Sequence, residues 1–469
     1  MAIVCASCIK KSRTEMIIVM KKYFLYLILM MFLPFVAFAE VVEIRGIYYK
    51  LDDENGTAEV TSNPKKYTGY VNIPRVVNYI GNSSYVVKSI GEYAFDGCDL
   101  LSHVDIPNTI KSIGIRAFRG CRNISSISIP ESIDSIGVYA FEGCAFQHVS
   151  INNLEAWCNI KFDSYKSNPT SCSDRVLLKG KDINDLELPE GMTEIKDFTF
   201  YNFHYLKSIV IPSSVTRIGR CAFNNSKFLQ DINISNDIEY IGSGAFDNTA
   251  WFESQPDGLV YAGLHAYGYK GKMPKGTNIE IKEGTKSIAD FAFYECQGLS
   301  SVSMPNSIER IGASSFSNCK NLTNIVIPSN VKKIDSSAFI GCNLLSTVEI
   351  GCGVTYIGEF AFAACHNLSV VRCLAENIPN TSVDSFNGSF DKATLYIPNS
   401  VLDEYKTTEP WCKFHSIYPI PDETTSIGPV DVKIEIQSVY GIDGRKCNQI
   451  YRGLNVFKGK GNVRKVISK

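Results

Sequence analysis

Residues 89–98 read SIGEYAFDGC, 112–121 read SIGIRAFRGC and 135–144 read SIGVYAFEGC. An isoleucine, an Ala-Phe pair and a cysteine thus return every 23 residues. Aligned on the isoleucine, the register starts at Ile90, Ile113, Ile136, Ile195, Ile218, Ile241, Ile288, Ile311, Ile334 and Ile357, and seven of the nine intervals are 23. A fixed period of this length is the mark of a stacked-repeat architecture and outranks any local propensity. Within a repeat, apolar residues fall at offsets 0, 4, 5 and 8 from the isoleucine, a helical spacing of about two turns. At offsets 14 and 16 they alternate, as in a short strand, and a proline such as Pro107 or Pro328 closes the run.

One such unit cannot bury both of its faces. Stacked, the strands pair about 4.8 Å apart and the apolar offsets merge into one core. The pattern therefore predicts a repeat solenoid, mainly β with short helical turns, forming a curved right-handed ribbon. Ten coils at that spacing give a length of roughly 50 Å.

Two cysteine ladders run through the repeats, Cys98, Cys121 and Cys144, then Cys296, Cys319, Cys342 and Cys365. All sit at offset 8, on the face of the isoleucine and phenylalanine. Metal ligands converge from different directions, which a single file does not supply, and free cysteine packs as a small hydrophobe. Phe203 and Ser226 replace cysteine at this offset, so the ladder is expected to be core. The pair better placed for a disulfide is Cys158 with Cys172, outside the repeats.

Of the 469 residues, 45% are hydrophobic, 11% aromatic and 20% charged, an ordinary folded composition. The formal net charge of -1 hides an asymmetry: residues 431–469 carry +6, while 40–430 carry -11. A body this acidic is a poor phosphate-binding surface, which argues against nucleic acid as partner. Near the N-terminus, Lys21 and Lys22 precede an apolar run that ends in Ala37-Phe38-Ala39, the pattern of an export signal cleaved after Ala39. The run is shorter than most membrane spans, so a signal peptide is preferred to an anchor and no transmembrane span is expected in the mature chain. Met20 is the expected start, which leaves Cys5 and Cys8 outside the mature protein.

The repeat, I-G-x-x-A-F-x-x-C-x-x-L-x-x-V-x-I-P, resembles that of the BspA-like leucine-rich repeat proteins over residues 90–373. Flanks typical of that family lie at 47–60 and 393–414. The resemblance implies a surface or secreted protein that binds other proteins, host matrix proteins or neighbouring cells among them. The tail, with Asp443-Gly444 as a hairpin signal and a basic Lys-Val-Ile-x-Lys end, resembles a Bacteroidota C-terminal sorting domain, although Asn455 stands where that family prefers an aromatic. The expected organisation is an N-terminal extension and signal peptide over 1–39, a β cap over 40–89, and repeats over 90–417 with insertions at about 152–183 and 251–283. A linker over 418–430 and a sorting-like β tail over 431–469 complete it.

Chemistry is sparse. The six histidines lie more than four residues apart, and neither a nucleophile elbow nor a phosphate loop occurs. "LDDENG" at 51–56 lacks the calcium-loop pattern and reads as a turn. No catalytic residue, cofactor or metal site is assigned, and the chain is read as non-enzymatic. The insertions are the place to look for specificity. Trp157 lies in the first; Trp251, Tyr261, Tyr267 and Tyr269 in the second are the ligand-binding candidates, being large amphipathic residues of the kind that anchor interfaces. The competing reading makes them plugs for gaps in the solenoid core. Outward strand positions such as Ser102, His103, Asp105, Ser126 and Ser128 form a hydroxyl-rich face without an aromatic stripe. The function expected is protein–protein interaction or adhesion at the cell surface. The alternative is glycan binding, which requires exposed aromatics on one face, most plausibly in 251–271.

Overall fold

The computed structural model describes residues 41–79, 83–173 and 175–421, together with the backbone of four strands beyond them. The export signal and most of the linker lie outside the described residues. The chain winds into a β-solenoid of about 14 turns, mostly strand with little helix. Two stacks of parallel strands run along it. One is built from the alternating offsets, as in Asn324–Ile327, Thr347–Ile350 and Val370–Cys373, paired in register at a shift of 23. The other is built from two-residue strands ending on the repeat isoleucine, such as Ser287–Ile288, Arg310–Ile311 and Lys333–Ile334. At the N-terminal end an antiparallel meander, Val41–Ile44, Ile47–Asp52 and Thr57–Thr61, caps the stack; Thr57–Thr61 then pairs parallel with Ser83–Ile90.

The segment between the two strands departs from its helical spacing. It is a pair of consecutive turns, because the residues at offsets 3 and 7 have left-handed backbones: Tyr93 (φ 57°) and Gly97 (φ 66°), Ser314 (52°) and Asn318 (59°). Each left-handed residue interrupts the i to i−4 bonding that a helix needs. The amides then divide their bonds. Ala94, Asp96 and Cys98 donate to carbonyls three residues back, whereas Tyr93, Phe95 and Gly97 donate to Ile115, Ala117 and Arg119 of the next coil, at 2.7–2.9 Å. The turn corner is therefore a third inter-coil ladder. The apolar offsets are still buried, as Ile90, Ala94, Phe95 and Cys98 show. The glycine after the isoleucine follows from the same stacking: a Cβ on Gly137 would lie 2.7 Å from the Ile115 amide nitrogen of the coil before.

The core is a file of phenylalanines stacked nearly face to face. Phe293, Phe316, Phe339, Phe362 and Phe386 follow at 5.0–5.1 Å with ring planes within 8°. Phe200, Phe223 and Phe246 form a second file, and Phe95, Phe118 and Phe141 a third. Where a file ends, a rotated indole seals it. Trp157 meets Phe162 and Phe203, Trp251 meets Phe246, and Trp411 meets Phe386. Trp251 and Trp411 each cover the last ring of a file, whereas Trp157 reaches the Phe200 file only through Phe203.

The cysteines pack beside these rings, and their thiols carry a bond as well. Cys121, Cys319 and Cys342 each donate Sγ–H to the phenylalanine carbonyl of the preceding coil at 3.0–3.1 Å. Ser226 makes the same bond to Phe200 at 2.8 Å, which explains why serine substitutes here. Burial pushes the Cys121 and Cys365 thiols up to about 12. The proposed Cys158–Cys172 disulfide is not formed; both are free thiols. Cys172 occupies the ladder slot instead, donating to the Phe141 carbonyl at 2.9 Å, whereas Cys158 lies on the short helix Leu154–Cys158.

The two segments expected as insertions contribute coils of their own. Lys161–Phe162 pairs parallel with Ser135–Ile136, and Val176–Leu178 with His148–Ile151. In the second, Gly258–Ala262 and His265–Lys270 form a hairpin whose His265 and Ala266 pair parallel with Ser287–Ile288. Beyond the solenoid, Ser438–Tyr440 pairs antiparallel with Lys446–Cys447, the two runs that flank Asp443-Gly444, and Gly453–Gly459 with Asn462–Ser468.

Two outcomes follow. Phe316→Ala empties the middle of a stacked file and is expected to cost about 3–5 kcal/mol, read as a lowered midpoint in denaturant unfolding. In the native protein Cys352, an exposed thiol, reacts with a thiol reagent in the first phase, while the buried ladder cysteines, all but Cys296, react only on unfolding, because raised pKa and burial suppress the thiolate. Mass mapping of early adducts onto Cys121 or Cys319 contradicts this.

Candidate interaction surface

The strand stack presents its alternate residues outward at fixed register. In the C-terminal coils, Val326, Glu349, Arg372, Tyr396 and Tyr418 stand in one column, each paired in register with the next. Their neighbours Ile325, Val348, Val371 and Leu395 point into the core. Val326 and Tyr418 are more than half exposed, and Arg372 pairs with Glu349 at 3.4 Å. Toward the N-terminus the face is the hydroxyl-rich one expected: Ser126 is in register with His148, and Ser128 with Ser150. The face is thus mostly polar toward the N-terminus, where Tyr70 and Val210 are the exposed exceptions, and carries Val326, Tyr396 and Tyr418 at the C-terminal end. Sequence reading missed Val326 and Tyr418 because a single valine or tyrosine inside an alternating run does not announce which way it points.

The four ligand-binding candidates of the second insertion are mostly turned inward. Tyr267 is buried; its hydroxyl donates to Asp247 at 2.7 Å and accepts from the Phe246 amide at 2.9 Å. Desolvation and the Asp247 charge hold that phenol well above its usual range. Tyr261 is partly buried, its hydroxyl accepting from the Lys282 amide at 3.0 Å with the Lys282 ammonium over the ring. Tyr269 is packed against the C-terminal core. Trp251 is partly exposed, resting on Phe246 and Tyr267. The structure brings Trp251 and Tyr267 together as a core plug, and places Tyr261 and Tyr269 elsewhere on the hairpin. Trp157 is fully buried, with its indole N–H donating to the Thr199 carbonyl at 2.9 Å.

What these residues plug is a joint. Both strand ladders stop after Tyr240–Ile241 and Asp231–Asn233, and resume at His265 and Thr277. The apolar core divides at the same level. Side chains make the crossing instead. Buried His265 donates from Nε2 to the Ile238 carbonyl at 2.8 Å, leaving Nδ1 to accept from Ser287 Oγ at 2.6 Å. Tyr240 reaches across to Asp290 at 2.8 Å, with Arg217 and Arg310 against its ring. Arg310 in turn pairs with Asp290 and Asp335 at 2.7 and 2.5 Å. A similar break after Lys161–Phe162 is spanned by Asn168, Thr170 and Asn202, whose side chains bond to backbone carbonyls across it, under a continuous core.

Among the described residues no group of three or more His, Cys, Asp or Glu is arranged to hold a metal ion. No helix among them is long and apolar enough to cross a membrane. The arrangement offers a laddered face with straight columns of outward side chains. A match to the profile of the BspA type leucine rich repeat region, in six copies over 88–170, 170–255 and 265–403, covers more than half of the chain. The protein belongs to the BspA-type leucine-rich repeat family. No curated protein matches it. Among solved structures it is similar to a leucine rich cell surface protein from Faecalibacterium prausnitzii, at 21% identity over 71% of this chain and 94% of that one, with TM-score 0.34. It is also similar to a leucine-rich repeat protein from Bacteroides ovatus (22%, 81% and 100%, 0.28) and to the pneumococcal vaccine antigen PcpA (15%, 82% and 99%, 0.37).

Burial and the nearby Arg310 charge lower the His265 pKa from 6.5, so the folded protein binds that proton less readily than the unfolded chain. Its contribution to stability is complete above pH 6.5 and is lost as pH falls toward the folded value. Unfolding midpoints measured from pH 8 to pH 5 should fall faster for the parent than for His265→Gln; equal slopes contradict the assignment.

Proposed function

We propose that this protein is an exported, non-enzymatic repeat protein that acts at the outer cell surface or outside the cell. Its strand face engages other proteins, host matrix proteins among them. The observation that carries this reading is the C-terminal column of that face. Val326 and Tyr418 are exposed there, on a sheet whose backbone is locked by inter-coil bonding and whose opposite side chains are core. The same column holds Arg372, Tyr396 and Tyr418, residue types that anchor protein contacts, and a preorganised face keeps the entropic cost of binding low. The N-terminal apolar run with its small-x-small end supports export, and display of many copies on one cell adds avidity to a modest single contact. Membership of a family built on this scaffold supports the interaction role but does not by itself name a partner. The tail's resemblance to a sorting domain supplies a route to the surface in this reading.

Biolayer interferometry of the whole chain against fibronectin and fibrinogen is the test. Saturable binding that weakens at least tenfold in the Val326→Asp/Tyr418→Ala variant is the expected outcome. Absence of saturable binding to either protein removes host matrix proteins from the reading, and binding untouched by the double substitution removes the strand face.

A further inference from the structure

Between regular coils, backbone bonds to backbone along three ladders. At the joint after Tyr240–Ile241 both strand ladders stop, and the hairpin Gly258–Ala262 with His265–Lys270 stands there with a foot in each part of the solenoid. Val260, Ala262 and Tyr267 belong to the N-terminal core, whereas Leu259, Tyr261 and Tyr269 pack against the C-terminal one. Backbone pairing ties the hairpin to the coil after it, through His265–Ala266 and Ser287–Ile288. Among the described residues, its bonds to the coils before it run through side chains. His265 reaches the Ile238 carbonyl, and the Tyr267 hydroxyl reaches Asp247 and the Phe246 amide.

His265 is buried, and its neutral ring is satisfied at both nitrogens, by Ile238 at 2.8 Å and Ser287 at 2.6 Å. A second proton, on Nδ1, requires the Ser287 hydroxyl to turn from donor to acceptor and leaves a cation in the interior. Across the hairpin its partner is the uncharged Ala262. On the coil before, the nearby titratable groups are Tyr240 and the exposed Glu239. On the coils after, they are Asp290, Asp335, Arg310 and the exposed Lys286. Burial first, and then the Arg310 charge, hold the imidazole below its ordinary 6.5. Once the joint opens, the ring meets water and takes up its proton at the ordinary pH.

We propose that this joint is an acid-released hinge: protonation of His265 frees the hairpin from the coils before it, and the two parts of the solenoid move relative to each other while each keeps its ladders and core. The geometry keeps the break local. Each part has its own phenylalanine file, Phe200 to Phe246 before the joint and Phe293 to Phe386 after it. Releasing the side-chain bonds between them therefore opens neither file. The column of Val326 and Tyr418 lies wholly in the second part, so the hinge reorients it against the N-terminal face without changing its register. The device stands whether or not that column binds protein. Linkage to an ordinary imidazole in the open joint raises the opening equilibrium by up to about 30-fold between pH 7.5 and pH 5.0. Burial also raises two carboxyls here, Asp247 under Tyr267 and Asp335 beside Arg310, so a variant must separate the imidazole from them.

The test is hydrogen exchange of the whole chain at pH 7.5 and pH 5.0, read by mass spectrometry and corrected for the intrinsic rate, with small-angle scattering of the same samples. The Phe246 amide, which donates across the joint to Tyr267, should exchange at least fivefold faster at pH 5.0. Amides of the ladder strands Ser126–Ile129 and Asn324–Ile327 should keep their protection, and the distribution of distances within the particle should change. In His265→Gln, whose amide offers one donor and one acceptor and takes up no proton, protection and scattering should be the same at both pH values. The hinge is overturned if the Phe246 amide is equally protected at both pH values, or if the ladder strands lose protection along with it. It is also overturned if the parent's scattering does not change, or if folded His265→Gln keeps the acid response. The parent's comparison of joint with ladder needs no variant, so it decides even if His265→Gln fails to fold.

Discussion

Backbone hydrogen bonding between successive coils is what everything else rests on. Each regular coil bonds to the next along the strand stack, along the two-residue strands and along the turn corner, so its backbone polar groups find partners in their neighbours. That arrangement forces equivalent side chains into files. Phenylalanine stacks on phenylalanine, every ladder thiol after the first of its file reaches the carbonyl of the coil before, and outward residues fall into straight columns. A file gains contact at each added coil but leaves an open ring at its end. Trp251 and Trp411 close two of the ends, and the buried indole N–H groups of Trp157 and Trp411 are satisfied by carbonyls.

The solenoid is not uniform along its length. Twice the backbone ladders stop together, and at the second stop the apolar core divides too. The crossing there depends on His265, Tyr267 and Tyr240, each of which must keep one protonation state and one geometry to hold its bonds. Backbone ladders have no comparable sensitivity. The strand column of Val326 and Tyr418 lies in the block after both stops.

The period, the identity of the buried residues and the packing role of the cysteines were legible from spacing alone. Burial of a repeated apolar offset is what makes it repeat. The conformation between offsets 3 and 8 was not legible. Apolar residues at 0, 4, 5 and 8 fit a helix as well as two successive turns, and only the left-handed backbones at Tyr93, Gly97 and their equivalents separate the two. Tyr267 illustrates the opposite difficulty. A tyrosine in an irregular segment looks available for contact, yet the joint around it supplied both an acceptor and a donor for its hydroxyl and drew it inside. The coils within the two irregular segments were hidden because Lys161–Phe162 and His265–Ala266 carry Phe162 and Ala266 in the place of the register isoleucine.

By itself, the sequence determined that this chain is a stacked repeat, which offsets face inward, and that thiols, phenylalanines and isoleucines share one core. A 23-residue period leaves stacking as the only way to bury every copy of the same apolar set. Tertiary structure decided which irregular residues rejoin the stack, where the ladders break, and which aromatics stay in water. Those outcomes depend on contacts between residues far apart in the chain, such as Tyr240 with Asp290 or Trp157 with Thr199. Tyr205 and Phe228 belong to this second group. Offset 10 varies from coil to coil, and its ring stays in water at Tyr205 and Phe228 but folds onto the core at Phe146 and Trp251.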